Sequence, residues 1–192
     1  MKTRRQKAKQ RHPRRRTRRR SVQSKLTVET GLALYDKPRI KQFIHSPNRT
    51  PRKSAKIELV VLHCTEGSLE STISEFLNPG GRKVSAHYII DRNGDIYQMV
   101  DDKEQSHHCH GANLNSVGIE HVGNVEDALS NAQTQSSTAL IRWLLQEYSL
   151  TKNDVYGHDF TPGYDKSTSC PDMLFGNVHA QETITAWVNT NV

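Results

Sequence analysis

The sequence predicts an α/β domain built around a central mixed β-sheet flanked by helices. The first observation is that segments typical of strands alternate along the chain with segments of helical periodicity. The second is an Asn93-Gly94 turn between two strand-like segments, which adds an antiparallel pair. The third is the length of 192 residues, which is enough for one domain with a hydrophobic core.

The first half of this domain contains a central strand, a helix and a hairpin. Lys56–His63 is nearly continuously apolar, as expected at the centre of a sheet. Ser68–Leu77 is a predicted helix, because Ser68 is a suitable N-cap and Asn-Pro-Gly-Gly at 78–81 ends it. Val84–Asp91 and Asp95–Val100 flank the Asn-Gly turn and form the predicted hairpin.

The second half adds two strands and two helices. Ser116–Val122 is a short predicted strand, and Val155–Gly157 is another that leads directly to His158. Gln135–Ser149 is the clearest helix, because its apolar residues recur at three- and four-residue spacing. Met173–Asn189 is the predicted closing helix, with an inner face formed by Ile184, Trp187 and Val188.

Charge and composition divide the chain into three parts. Residues 1–20 hold twelve of the 27 Lys and Arg residues and none of the 20 acids, so residues 21–192 carry a net charge of −5. We expect residues 1–20 to be a disordered cationic tail, because dense like charges repel one another. Residues 21–55 are an irregular, proline-containing lead-in arm that we expect to pack on the domain with one short strand or turn, and residues 56–192 form the functional domain. The densest part of the tail consists of Arg14, Arg15, Arg16, Arg18, Arg19 and Arg20.

The composition also excludes several classes of protein. No apolar run is long enough to cross a bilayer, and the polar first twenty residues lack the apolar core of a signal peptide. We therefore expect synthesis in the cytoplasm. Three cysteines at irregular spacing argue against a disulfide framework, and we expect Cys64 and Cys109 to be small buried residues.

A His and a Cys in one loop indicate a metal site. His158 and Cys170 are separated by residues rich in Gly, Pro, Ser and Thr, which let the chain double back. Neutral imidazole and thiolate are both good ligands for Zn²⁺. His63 ends the central strand and is the candidate third ligand, although a strand-end His can also be a simple structural residue. Three protein ligands and one open position are typical of a catalytic zinc.

Four segments in register resemble a known enzyme family. They are Val-Val-Leu-His-Cys-Thr-Glu-Gly at 60–67, the hairpin at 84–100, Asn-Ser-Val-Gly-Ile-Glu at 115–120, and Gly-His-Asp to Ser-Cys-Pro at 157–171. This series resembles the zinc-dependent N-acetylmuramoyl-L-alanine amidases of the amidase-2 type. These share their fold with phage amidase lysozymes and peptidoglycan recognition proteins, so the resemblance implies that fold for residues 56–192.

The resemblance implies the following roles. His63, His158 and Cys170 match the ligands of one Zn²⁺ per chain. Glu120 matches the general base, since Ala86 stands where the phage lysozymes carry a Tyr. Thr168 is implied to stabilise the oxyanion, with Lys166 as an alternative. The residues implied to contact the substrate are His87, His110 and Asn115.

The implied reaction is hydrolysis of the amide bond between N-acetylmuramic acid and L-alanine in peptidoglycan, by a phage or prophage endolysin or a bacterial wall-remodelling enzyme. A recognition module that binds muropeptide without cutting it is the first alternative. Glu120 as a solvated strand-end carboxylate and Thr168 as a turn residue are local alternatives. For His107, His108 and His121 we expect a His-rich surface loop rather than a second metal site.

The partner of residues 1–20 stays open between several polyanions. Lipopolysaccharide, anionic lipid, teichoic acid and nucleic acid all attract such a charge density. The tail lacks aromatic residues for base stacking, which favours an envelope target over nucleic acid. A solubilising tail without a specific partner is the remaining alternative. Action on the cell wall further requires a route of release that the sequence does not identify.

Overall fold

A six-stranded mixed β-sheet forms the centre of the protein in the computed structural model, which describes residues 34–124, 126–171, 173–176 and 178–192. The strands, in chain order, are β1 (Ile40–Phe43), β2 (Arg49–Pro51), β3 (Leu59–Cys64), β4 (Tyr88–Ile90), β5 (Ile96–Gln98), β6 (Glu104–Ser106), β7 (Ser116–His121) and β8 (Val155–Gly157). The sheet order is β1-β5-β4-β7-β3-β8, and β2 pairs with β6 separately. Only β4 and β5 are antiparallel within the large sheet, as the Asn-Gly turn predicted.

The central strand β3 begins three residues later than Lys56, the predicted start. The backbone N–H groups of Glu58 and Leu59 both donate to the carbonyl of Asn115, so ladder pairing starts only there. From Val60 onwards the strand is buried, with β7 and β8 parallel to it on either side. A strand covered on both faces requires the continuous apolar run that the sequence shows.

The three helices are α1 (Leu69–Leu77), α2 (Asn131–Glu147) and α3 (Gln181–Asn191). The predicted α1 is confirmed, including Ser68 as the N-cap. Helix α2 begins four residues before the predicted start, because Ser130 and Gln133 form a capping box. The predicted start of the last helix at Met173 is wrong. The described residues between Met173 and Ala180 form turns and bends.

The two faces of the sheet are covered differently. The buried residues that pack between this sheet and helices α2 and α3 include Val60, Leu62, Val117, Ile119, Leu140, Ile141, Leu144, Ile184 and Val188. Helix α1 covers part of the other face, where Phe76 packs with Ile89 and Met99. Val61 contacts Cys109 and Ala112 on the same side. His63 and Glu120 alternate along β3 and β7 with residues of the first face, so they lie on this second face.

The described part of the lead-in arm is built into the domain. Ile40–Phe43 adds an edge strand parallel to β5, and Arg49–Pro51 pairs with β6. Arg52 is buried and donates to the carbonyl oxygens of Asp102, Glu104 and Ser116. Residues 21–33 and the predicted tail lie outside the described residues. In the part of the chain that is described, no helix has the length and apolar character needed to span a bilayer.

Candidate active site

A cavity of about 450 Å³ opens at the C-terminal ends of β3 and β7. The parallel register places His63 of β3 directly beside Glu120 of β7. The loop that follows β8 brings His158 and Cys170 to the same place. The other residues that line the cavity include Glu66, Arg82, His107, His108 and Thr168. Neighbouring parallel strands end at one edge of the sheet, which is why the site forms there.

His63, His158 and Cys170 come together as the sequence predicted. Their candidate ligand atoms all lie within 4.8 Å of one another. Cys170 Sγ is 3.6 Å from His63 Nδ1, and the two imidazole rings have centroids 4.4 Å apart. Among the described residues, His158 Nε2 is a buried polar atom without a hydrogen-bond partner. Two imidazoles, one of which has an unpartnered nitrogen, and one sulfur fit the three protein ligands of a tetrahedral Zn²⁺ site.

Burial keeps both imidazoles of this cluster neutral. Desolvation lowers the pKa of His158 to about 4 and holds the pKa of His63 well below its usual value. Neutral rings present the lone pair that a metal needs. Desolvation, with a contribution from Glu120, raises the pKa of the Cys170 thiol. The backbone N–H of Cys64 donates to Cys170 Sγ at 3.2 Å, and a divalent cation at the site would favour the thiolate further.

Glu120 faces the cavity with a carboxylate that has been partly removed from water. The residue is half-buried, and its Oε2 is buried without a hydrogen-bond partner in the described part of the chain. Desolvation raises its pKa to about 8, the charge of Glu66 adds to this effect, and Arg82 opposes it. A carboxylate of this kind binds a proton near neutral pH, as a general base and subsequent acid must. The solvated strand-end alternative does not fit the unpartnered Oε2.

Thr168 combines the turn role with a place in the cavity wall. Its Oγ1 accepts from the backbone N–H of Cys170 at 3.2 Å, and its own backbone N–H donates to Asp159 Oδ1 at 2.8 Å. Among the described residues no acceptor engages the hydroxyl proton. Thr168 therefore fixes the loop that carries Cys170 and still has a donor to offer inside the cavity.

The predicted substrate contacts lie away from this cavity. His87 is fully buried, with its ring nitrogens bonded to Arg52 and Ser106. Asn115 precedes the first residue of β7 and donates to Glu58, so it lies at the opposite end of the strand from Glu120. His110 is exposed and pairs with Asp165 at 2.8 Å. None of the three is among the residues that line the cavity, and their contact with substrate stays a prediction.

The expected His-rich surface loop is wrong for two of its three members. His108 and His121 are buried, and only His107 is partly exposed. His121 lies between the carbonyl of His63 at 3.1 Å and Ser137 Oγ at 2.9 Å. His108 Nδ1 lies 2.9 Å from His63 Nε2. A sequence feature that could have indicated this is Gly118, because a glycine inside a buried strand marks close approach by another group.

Comparison with known proteins supports the resemblance. The family model described as N-acetylmuramoyl-L-alanine amidase of the amidase-2 type matches residues 53–173, more than half of the chain. The chain belongs to this family. N-acetylmuramoyl-L-alanine amidase A of Achromobacter lyticus is 31% identical over 150 residues, which span 77% of this chain and 78% of that protein.

Solved structures show the same fold. The N-acetylmuramoyl-L-alanine amidase LysC of Clostridium intestinale superposes with a TM-score of 0.60 at 23% identity, over 79% of this chain and 98% of its own. Drosophila peptidoglycan recognition protein SA gives a TM-score of 0.56 at 19% identity, over 68% of this chain and 85% of its own. The predicted fold and enzyme class are thereby confirmed. The enzyme is an N-acetylmuramoyl-L-alanine amidase that acts on peptidoglycan.

Proposed function

We propose that this amidase is zinc-dependent, with His63, His158 and Cys170 as the protein ligands and Glu120 as the general base. The observation that carries the proposal is the meeting of the candidate ligand atoms of two imidazoles and one cysteine within 4.8 Å, beside an unpartnered carboxylate oxygen on the adjacent strand. When bound, Zn²⁺ supplies Lewis acidity toward the amide carbonyl and the attacking water. A site with three protein ligands leaves a fourth coordination position open for this purpose.

The residues of the chain then handle the proton and the leaving group. Glu120 removes a proton from the water that attacks the lactyl carbonyl carbon, and it returns this proton to the nitrogen of L-alanine as the C–N bond breaks. The free hydroxyl proton of Thr168 is placed to donate to the developing oxyanion. The products are the free muramyl carboxyl group and the free amine of the stem peptide, so one water is consumed.

The decisive experiment combines metal analysis with hydrolysis of purified sacculi. We expect about one Zn²⁺ per chain, release of new L-alanine amino groups, and loss of both on treatment with a chelator. Cys170→Ala and His158→Ala should each abolish hydrolysis. Cys109→Ala is the matched control, because Cys109 is equally buried but packs against Val61 and Ala112 outside the cavity. Full activity of either ligand variant without metal contradicts the proposal, and binding of sacculi without amine release supports a recognition module instead.

For the biological role we propose lysis or remodelling of the cell wall, as in a phage or prophage endolysin. The basic residues 1–20 would then draw the enzyme to an anionic envelope, because their twelve charges contrast with a net charge of −5 over the remainder. Lipopolysaccharide, anionic lipid and teichoic acid share the relevant chemistry, a surface dense in phosphate or carboxylate.

A further inference from the structure

A chain of buried hydrogen bonds runs from the start of β7 to a candidate metal ligand. Ser116 Oγ lies 2.6 Å from the carbonyl oxygen of Ala112 and 3.0 Å from His108 Nε2. His108 Nδ1 in turn lies 2.9 Å from His63 Nε2. Ser116, His108 and His63 are all buried, so water does not compete for these contacts.

The direction of every bond in this chain follows from its first member. A carbonyl oxygen can only accept, so the Ser116 hydroxyl proton points to Ala112. The Ser116 oxygen then accepts from His108 Nε2–H, which leaves the lone pair of a neutral ring on His108 Nδ1. His63 Nε2 must therefore carry a proton and donate it to His108. The remaining nitrogen, His63 Nδ1, is left with its lone pair and is the one that lies 3.6 Å from Cys170 Sγ.

We propose that His108 is a positioning residue that fixes the tautomer and ring orientation of His63 for zinc binding, with Ser116 as its anchor. Ligating imidazoles commonly donate their second N–H to a neighbouring acceptor, and loss of that acceptor weakens metal binding about 10–100-fold. In this protein the acceptor is the imidazole of His108. Its acceptor character is itself set by a serine.

Strand β7 provides the space that this arrangement needs. A Cβ atom on Gly118 would lie 2.5 Å from His108 Cγ and 2.6 Å from His108 Nδ1, so any side chain at this position displaces the ring. Residues two apart share a face of a strand, so Ser116, Gly118 and Glu120 all face the cavity side. One face of β7 thus carries the anchor of His108, the room for its ring and the proposed general base.

The test measures zinc affinity of the holoenzyme by competition with a chelator of known affinity, together with the visible spectrum of the Co²⁺-substituted protein. His108→Phe keeps the ring volume but removes the acceptor, and we expect a 10–100-fold weaker affinity and a shifted Co²⁺ spectrum. His108→Gln restores an acceptor and a donor, so it should recover part of the loss. Gly118→Ala should weaken binding through displacement of the ring.

Two serine variants separate this effect from general destabilisation. Ser116→Ala should lower zinc affinity, whereas Ser137→Ala removes a comparable buried hydroxyl–imidazole bond at His121 and should not. Equal zinc affinity in wild type, His108→Phe and Ser116→Ala overturns the inference. If His108→Phe does not fold, the two serine variants decide. The inference rests on the proposed zinc dependence, whose own failure is distinguishable because wild type would then bind no zinc.

Discussion

Glu120 shows how one residue acquires its chemistry from its place in the sheet. It follows the apolar residues of β7 and lies beside His63, so its carboxylate meets a wall of buried groups rather than bulk water. Desolvation raises its pKa to about 8, which brings proton uptake into the range where an amidase must work. The motif Ser-Val-Gly-Ile-Glu points to this residue from the sequence, and its position in the cavity wall explains why Oε2 has no partner among the described residues.

Replacement of Glu120 by Gln should remove turnover and keep the metal. We expect loss by a factor on the order of 10²–10⁴, the usual range for a missing general base, with zinc content unchanged. Release of L-alanine amino groups from soluble muropeptide measures the rate. Glu75→Gln is the control, because Glu75 lines the same cavity but pairs with Arg82. A wild-type rate in Glu120→Gln would assign the base to another residue.

The same substitution should stabilise the metal-free protein in a defined pH window. Glu120 ionises near 4.5 when exposed and near 8 in the folded protein, so the unfolded state loses its proton first. Between these pH values the folded protein keeps a proton that the unfolded chain has lost, so the free energy of unfolding falls by up to about 1.4 kcal/mol per pH unit. Gln does not ionise, so the variant does not lose stability in this way. Urea denaturation of both proteins with chelator, from pH 4.5 to 8, should show a widening gap in favour of Glu120→Gln. A gap that is constant over this range would contradict the raised pKa.

Other residues show where prediction from sequence stops. His158 and Cys170 could be assigned because a flexible loop joins two good ligands. His108 could not, because its burial depends on the segment before β7 folding back over Gly118. That contact joins residues whose spacing follows neither helical nor strand periodicity.

At the scale of elements, local capping decided which boundaries could be predicted. Ser68 correctly marks the start of α1. Apolar periodicity alone puts the start of α2 too late, because the Ser130–Gln133 capping box that begins the helix lies before its apolar residues. The start of the last helix at Met173 is too early, because Leu174 and Phe175 are not helical although they are apolar. They instead pack into the core from a turn, in which Gly176 donates to the Met173 carbonyl. The short strand expected in the lead-in arm could not be placed at β1, because all but the first residue of β1 is exposed, as expected at a sheet edge.

The α2 cap offers a test at this scale. Ser130→Ala removes the acceptor for the Gln133 backbone N–H and also the bond from Ser130 Oγ to the Arg92 carbonyl. We expect a loss of about 1 kcal/mol in the free energy of unfolding, the usual cost of a lost N-cap. Gln135→Ala, at an exposed position of the same helix, should change stability by less than about 0.5 kcal/mol. Equal effects in the two variants, measured by denaturant unfolding, would show that the cap does not stabilise α2.

At the scale of the whole molecule, charge and catalysis occupy different parts of the chain. The candidate ligands and the proposed base all lie between His63 and Cys170. Residues 1–20 contain twelve Lys and Arg without an acid, while residues 21–192 carry a net charge of −5. An anionic envelope would repel the latter part, so the attraction of the basic segment must exceed this repulsion before the cavity can meet its substrate.

Deletion of residues 1–20 should therefore separate catalysis from targeting. Hydrolysis of soluble muropeptide should stay nearly unchanged, while clearing of intact cells should fall. The advantage of the full-length enzyme should shrink as salt rises, because exposed charges are screened over about 10 Å at 0.1 M salt. Replacing the six Arg between 14 and 20 by Gln is the matched control for length. An equal loss on soluble muropeptide would show that residues 1–20 act on the catalytic domain. A different result would assign residues 1–20 to nucleic-acid binding instead. In that case cell clearing would depend on neither this segment nor salt, and a salt-sensitive mobility shift of DNA would require residues 1–20.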